Sequence, residues 1–415
     1  MKEILAEIIT IGDEILYGQI IDTNSQWMGA ELDQIGVKVL RKTTIGDQED
    51  QMLTAFTEAE ARVDLVLMTG GLGPTNDDLT MPTLAKFFNC EVVQNQEVYE
   101  HVRHFFESRG LPFNDPNKKQ ALVPENAEIL PNELGTAPVT WFERNNTIFV
   151  SMPGVPYEMK NIMRASVIPK VQEFFNTPFI HHRIIKTVGI GESFLAEKIK
   201  QWEENLPNNI SLAYLPSIGQ VKLRLTAKGD DASALKKLVQ DQINLVLPIA
   251  QKYIYGYDKT SFEEAIGTLL IQKNKSIAFA ESCSGGYVQH KITKVRGSSK
   301  YFRGGIVPYH NDLKIDMLGV KQETIEQHGA VSEECIIEMA NRVREKFNAD
   351  IGAASSGVAG PDGGTEEKPV GTIWIAYADG KQTVTKKLQL TQNRMLNIEL
   401  TEISVLNLVR KSLAL

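Results

Sequence analysis

The sequence predicts an α/β protein in three parts: an α/β domain over residues 1–176, a small α+β unit over 177–257, and a second α/β domain over 258–415. Three observations carry this reading. The first third alternates short β-rich runs with apolar residues at helical spacing, Gly-rich loops follow the apolar runs, and a helix-capping signature at Ser261 opens a further strand-loop-helix series. A chain of 415 residues is also long enough for about three domains at roughly 150 residues each.

Taken in order, Glu7 to Gly12 reads as a strand, followed by a helix whose Met28, Leu32 and Ile35 recur on one face. Val63 to Met68 is short and apolar, and the Gly70-Gly71-Leu72-Gly73-Pro74 punctuation after it favours a buried strand, so parallel strands with covering helices are expected. The domain continues through Phe149 to Met152, the loop Pro153 to Pro156 and a helix ending near Phe175, with Pro178 marking a boundary. The middle unit offers a strand at Ile184 to Val188, the turn Gly189-Ile190-Gly191, a helix, a hairpin of Ile210 to Leu215 with Gln220 to Ala227, a second helix and a strand at Tyr253 to Tyr255. It carries no chemistry that the sequence marks.

In the last part, Ser261-Phe262-Glu263-Glu264 is a capping box, in which the Ser hydroxyl and the Glu carboxylate satisfy exposed amides of a helix start. Ser276 to Ala280 reads as a strand running into Glu281-Ser282-Cys283-Ser284-Gly285-Gly286, after which Val288, Ile292 and Val295 share a helical face. A helix over about Glu333 to Phe347, a strand at Asp350 to Ala354, the loop Gly357 to Gly371, two strands and a terminal helix from about Asn393 follow.

Composition narrows the function classes. Forty-four Lys and Arg against 52 Asp and Glu leave a net charge of −8, whereas a protein that tracks a nucleic-acid backbone needs an excess of cations; direct nucleic-acid binding is not expected. Cys90, Cys283 and Cys335 are odd in number and widely spaced, which points away from a disulfide framework and towards a reducing, cytoplasmic compartment. Early acids (Glu3, Glu7, Asp13, Glu14) interrupt any signal-peptide core, and no apolar run reaches the roughly 20 residues of a membrane span.

Loops at strand C-termini that run into helix N-termini are where open α/β sheets hold anionic ligands, because unpaired amides and the helix dipole converge there. In the front domain, Gly70, Gly71 and Gly73 with Thr75 and Thr80 form such a loop, and Asp77 and Asp78 within it would repel a phosphate unless a cation such as Mg²⁺ intervened. Gly12-Asp13-Glu14, Asp22-Thr23-Asn24 and Asp47 lie at neighbouring junctions; these acids also read as helix caps and first-turn residues. In the last domain Ser282, Cys283 and Ser284 are candidate nucleophiles beside the amides of Gly285 and Gly286. The stretch Gly304 to Lys314 supplies Tyr309, His310 and Lys314 as candidate bases, and burial can depress a lysine enough for that role. Gly360, Asp362, Gly363, Gly364 and Thr365 form another amide-rich loop, and Arg394 could pair with a phosphate.

These residues resemble a family. The Gly-Gly-x-Gly-Pro loop, the GDE turn and Pro153-Gly154-Val155-Pro156 look like the molybdopterin-binding fold of the MoaB/Mog type, in the variant that opens the competence/damage-inducible CinA proteins. AESCSGG at 280–286, GSSKYFRGGIVPYHNDLK at 297–314, GAVS at 329–332 and GVAGPDGGTEEKPVG at 357–371 resemble the CinA C-terminal domain. For the front half the resemblance implies a divalent-metal-dependent ADP-ribose pyrophosphatase yielding AMP and ribose 5-phosphate, with Asp47 and Asp78 on the two acidic positions of the pterin-binding relatives. There Asn76-Asp77-Asp78 departs from the basic-then-acidic pair of the pterin enzymes. For the last domain it implies a metal-free amidohydrolase acting on nicotinamide mononucleotide, with Ser282 and Lys314 on the catalytic positions, and for the whole a homodimer. Ser284 and Pro308 stand where the family pattern more usually has Thr.

The expected chemistry is attack of Ser282 on the amide carbon, with neutral Lys314 taking its proton and amides around Ser284 to Gly286 holding the oxyanion. Cys283 is the rival nucleophile, although adjacent strand residues point to opposite faces. The alternative is a nucleotide- or pterin-binding sensor without turnover, serving competence or damage responses as the family name suggests.

Overall fold

The computed structural model describes residues 3–75 and 78–414. By its internal contacts the chain divides into two compact units, residues 1–181 with 227–237 and residues 182–226 with 238–415.

The first unit is built on a six-stranded sheet in the order Val37–Ile45, Ile4–Ile11, Leu65–Thr69, Thr147–Met152, Val139–Arg144, Glu128–Leu130. The first four strands are parallel, as the buried apolar runs predict, and the last two turn antiparallel. The turn between Val139–Arg144 and Thr147–Met152 explains that reversal: Asn145 and Asn146 both have positive φ, 51° and 63°, the left-handed pair of a tight hairpin. Alternation along the strand Ile4–Ile11 sends Ile8 to a core with Met28, Leu32 and Met159, and Ile9 to a second core with Met52, Phe56 and Leu84. Both faces of the sheet are therefore covered. The sequence reading passed over the insertion that carries the ribbon Val92–Gln94 with Leu122–Pro124 and the helix Gln96–Glu107.

The four-stranded middle sheet runs Ile210–Ser217, Gln220–Gly229, Phe179–Val188, Ile254–Tyr257. Its first strand begins at Phe179 rather than Ile184 and its last ends at Tyr257 rather than Tyr255.

The last sheet runs Phe302–Ile306, Ile277–Glu281, Ile351–Gly357, Thr372–Ala378, Thr383–Gln389, parallel in its first three strands and antiparallel beyond. The capping box forms: Glu264 N–H donates to Ser261 Oγ at 3.2 Å and Ser261 N–H to Glu264 Oε2 at 2.7 Å, opening the helix Phe262–Gln272. That helix packs with Arg394–Ala414 and Tyr287–Thr293 on Ile277 and Phe279, whereas Glu333–Lys346 packs on the other face, against Ala278 and Ala280. The alanines matter, because they let this helix approach the sheet at backbone distance. At Gly352 an added Cβ would lie 1.9 Å from Ala340 O, so the contact tolerates no side chain at all.

Among the described residues no helix is long and apolar enough to cross a membrane. Gly352→Ala is expected to lower stability by about 1–3 kcal/mol through overpacking; an unchanged urea midpoint for the purified variant would contradict the close approach.

Candidate active site

The strand Ile277–Glu281 is buried throughout, and it ends where the chain turns sharply through residues 282–286 into the helix Tyr287–Thr293. Ser282 N–H still donates to Ser355 O at 2.8 Å, which extends the ladder by one step and places the serine at the sheet's C-terminal edge. Facing it is Lys314, from the short helix Asn311–Asp316, with 1% of its surface exposed. Its Nζ donates to Ser282 Oγ at 3.2 Å, to Pro308 O at 2.9 Å and to Tyr309 O at 3.2 Å. All three partners are neutral oxygens. With no carboxylate to stabilise its charge, burial holds the Lys314 amine below the usual lysine range.

Ser282, Cys283, Tyr309, Lys314 and Arg394 line one cleft of about 210 Å³, together with Asn311, Ala330, Val331, Ser356, Gly357 and Ala359. Cys283 belongs to the apolar core with Phe279 and Val288, and burial pushes its thiol up to about 12, so it is a protonated core thiol beside the serine. Arg394 Nη1 donates to Gly360 O at 2.7 Å and Nη2 to Tyr309 Oη at 3.0 Å, fixing a cation at the rim.

The other expected ligand groups in this domain are arranged differently. Gly285 N–H donates to Ser282 O at 3.1 Å and Gly286 N–H to Glu281 Oε2 at 3.1 Å, so both amides are already engaged and the expected oxyanion role does not fall to them. Ser284 is buried, and its hydroxyl donates to Glu281 Oε2 at 2.7 Å. Asp362, Gly363, Gly364 and Thr365 lie on an exposed loop and do not line the cleft. Sequence reasoning missed Ser356, Asn311 and Asn397. The last is wholly buried; its Nδ2 donates to Ala359 O at 3.0 Å and its Oδ1 accepts from Thr391 N–H at 2.9 Å, which holds the loop beside the cleft.

The first unit has a larger cleft, about 530 Å³, at the C-terminal ends of its parallel strands. Gly70 lets the chain leave the sheet there, since a Cβ on it would meet Ile11 O at 2.0 Å. Asn24, Asp47, Gly70, Gly71, Gly73 and Asp78 all line it. Asn24 Nδ2 donates to Gly154 O at 2.7 Å and Thr69 Oγ1 at 3.3 Å, while its buried Oδ1 has no partner. Thr80, expected to touch ligand, is instead wholly buried and braces the loop by donating to Gly70 O at 3.1 Å. Thr75 lies outside this lining; its amide and hydroxyl both donate to Asp78, whose other oxygen accepts from Gly73 N–H at 2.7 Å. Asp77 lies outside the described residues.

Five carboxylates, of Glu14, Asp22, Asp47, Asp78 and Glu158, line this cleft, and no Lys or Arg does so among the described residues. No three His, Cys, Asp or Glu among those residues come close enough to cage an ion by themselves. The donor chemistry suits Mg²⁺, which takes one or two carboxylates and completes its shell from phosphate oxygens and water.

Known proteins match in the same three parts. The model of the CinA C-terminal domain matches residues 259–413, that described as a probable molybdopterin binding domain matches 7–173, and that of the damage-inducible protein CinA KH domain matches 182–256. A CinA-like protein of Cytophaga hutchinsonii is 53% identical, with 99% of this chain and 98% of that protein covered. One of Flavobacterium psychrophilum is 44% identical, with 94% of each covered. The crystal structure of a CinA of unknown function from Thermoplasma acidophilum aligns at 30% identity and a TM-score of 0.37 over 40% of this chain and 96% of its own. At that identity over nearly the whole length of the Cytophaga relative, the chain belongs to the CinA family.

Proposed function

We propose that the C-terminal cleft hydrolyses the amide of nicotinamide mononucleotide, giving nicotinate mononucleotide and ammonia. The observation that carries this reading is the buried Lys314 amine at 3.2 Å from Ser282 Oγ with no acidic partner. A lysine so placed is a base for the serine hydroxyl, the Ser-Lys form of nucleophile activation. Ser282 Oγ attacks the carboxamide carbon while Lys314 takes the hydroxyl proton. The tetrahedral intermediate collapses as Lys314 returns that proton to the departing nitrogen, releasing ammonia and leaving an acyl-serine. Water, deprotonated by the same amine, then hydrolyses the ester. With Gly285 and Gly286 engaged, the oxyanion role passes to the amide of Cys283, a residue of the cleft lining. Arg394 at the rim supplies the charge for the nucleotide phosphate.

The front cleft supports a second reading, hydrolysis of the diphosphate of ADP-ribose to AMP and ribose 5-phosphate. Its five carboxylates and lack of cations call for a divalent ion whenever a diphosphate binds. Such an ion, when bound, neutralises diphosphate charge and activates water. Asp47 and Asp78 would hold it, and the unpartnered Asn24 Oδ1 offers an acceptor to the ligand.

Ammonia release from nicotinamide mononucleotide by the full chain, with EDTA present, tests the first reading. Ser282→Ala is expected to cut turnover by about 10³-fold or more, and Cys283→Ala to leave it within about tenfold. No release by a folded wild type sinks the deamidase and favours a ligand-binding role. Because the base acts only when neutral, kcat/KM should climb with pH and level off above the Lys314 pKa, which burial places below the ordinary lysine range. A kcat/KM that falls as pH rises from 5 to 9 would count against Lys314 as the base. For the front cleft, EDTA should abolish AMP formation from ADP-ribose and Asp47→Asn should lower it by about 10²-fold or more with ammonia release intact; AMP formation that survives EDTA would refute the metal.

A further inference from the structure

Glu281 is the last residue of the nucleophile's strand, and 1% of its surface is exposed. A carboxylate buried to that degree needs partners, and none of its hydrogen-bond partners is a cation. Its oxygens instead accept four hydrogen bonds from the turn that follows. Oε2 accepts from Ser284 Oγ at 2.7 Å, Gly286 N–H at 3.1 Å and Val288 N–H at 3.0 Å, and Oε1 from Gln289 N–H at 2.8 Å. Three of these donors are amides at the start of the helix Tyr287–Thr293, whose N-cap position is Gly286, a residue with no side chain to offer. The strand therefore caps the helix that comes after it, across the turn that bears Ser282.

A second tie fixes the same turn sideways. The single hydroxyl proton of Ser284 goes to the carboxylate, so the 2.7 Å contact between Ser284 Oγ and Ser355 Oγ has Ser355 as donor. Ser355 O also accepts from Ser282 N–H at 2.8 Å. Glu281, Ser284 and Ser355 thus form a chain from the nucleophile's own strand, over its turn, to the neighbouring strand. Ser282 is held between its two ends.

We propose that Glu281 is the positioning residue of the nucleophile, holding the 282–286 turn so that Ser282 Oγ stays within reach of Lys314. This rests on the Ser282–Lys314 reading of the site. Glu281 itself touches neither Lys314 nor the cleft: its two oxygens are engaged by the turn and by the start of the helix Tyr287–Thr293, and it does not line the 210 Å³ space. A neutral amide in its place keeps the size and loses the fit, because its NH₂ would face backbone N–H groups that need an acceptor.

The test uses the full chain carrying Glu281→Gln, read in three ways. With nicotinamide mononucleotide, kcat should fall about 100-fold, the scale of a reacting group displaced by an ångström, while KM moves less than about threefold because the rim contacts of Tyr309 and Arg394 persist. Backbone hydrogen exchange over residues 282–289 should quicken at least about tenfold, with exchange in the strand Ile351–Gly357 and the melting temperature close to wild type. A kcat within about threefold of wild type overturns the proposal, as does unchanged exchange over the turn. If wild type itself releases no ammonia, the deamidase reading fails, and the exchange measurement alone decides whether Glu281 holds the turn. Should Glu281→Gln fail to fold, Ser284→Ala, which removes one of the four donors and the link to Ser355, should show the same kcat-selective loss to a smaller degree; an equal loss in KM would count against positioning.

Discussion

A parallel strand covered on both faces has no side chain to give to anything but packing, and each α/β sheet here is organised about such a strand. Leu65–Thr69 and Ile277–Glu281 are buried at every residue. Along these two strands the polar residues, Thr69 and Glu281, come where the strand stops, and because neighbouring parallel strands stop at the same edge, several such endings converge. Gly70, Asn24 and Asp47 meet in one unit, and Ser282, Ser356 and Lys314 in the other, although each group is scattered along the chain.

The two clefts apply that common design to opposite electrostatic problems. The front one gathers carboxylates, with no Lys or Arg among the described residues of its lining. The other buries an amine whose hydrogen-bond partners among the described residues are all neutral oxygens, which lowers the cost of the neutral form. The sites therefore differ in which charge is left unmatched.

Much of this was legible in the sequence. Apolar runs of strand length located the parallel strands and the two loops that matter, because the glycines that follow Leu65–Thr69 and Ile277–Glu281 favour a strand over a helix fragment. The capping box at Ser261 was likewise a local signal with a local cause. What escaped was what depends on distant chain segments. Ser284 looked like a ligand group because a hydroxyl in a Gly-rich turn usually is one, and only Ser355, 71 residues on, shows where it points. Glu281 carried no signal of its role, which depends on the turn folding back over it. Thr80 was misjudged for the same reason, since its burial comes from the loop it braces. The antiparallel edge of the front sheet depended on the left-handed pair Asn145-Asn146, a turn signal that apolar periodicity alone does not register.

Cys283 stands next to the proposed nucleophile, yet it is packed among apolar side chains with its thiol held protonated. Oxidants such as hydrogen peroxide react with the thiolate and need access to it. A sulfur in this setting offers them no thiolate, and a serine has nothing for them to oxidise. Under the proposed reading, oxidants that would convert a thiol nucleophile in this turn to sulfenic acid leave the serine unchanged.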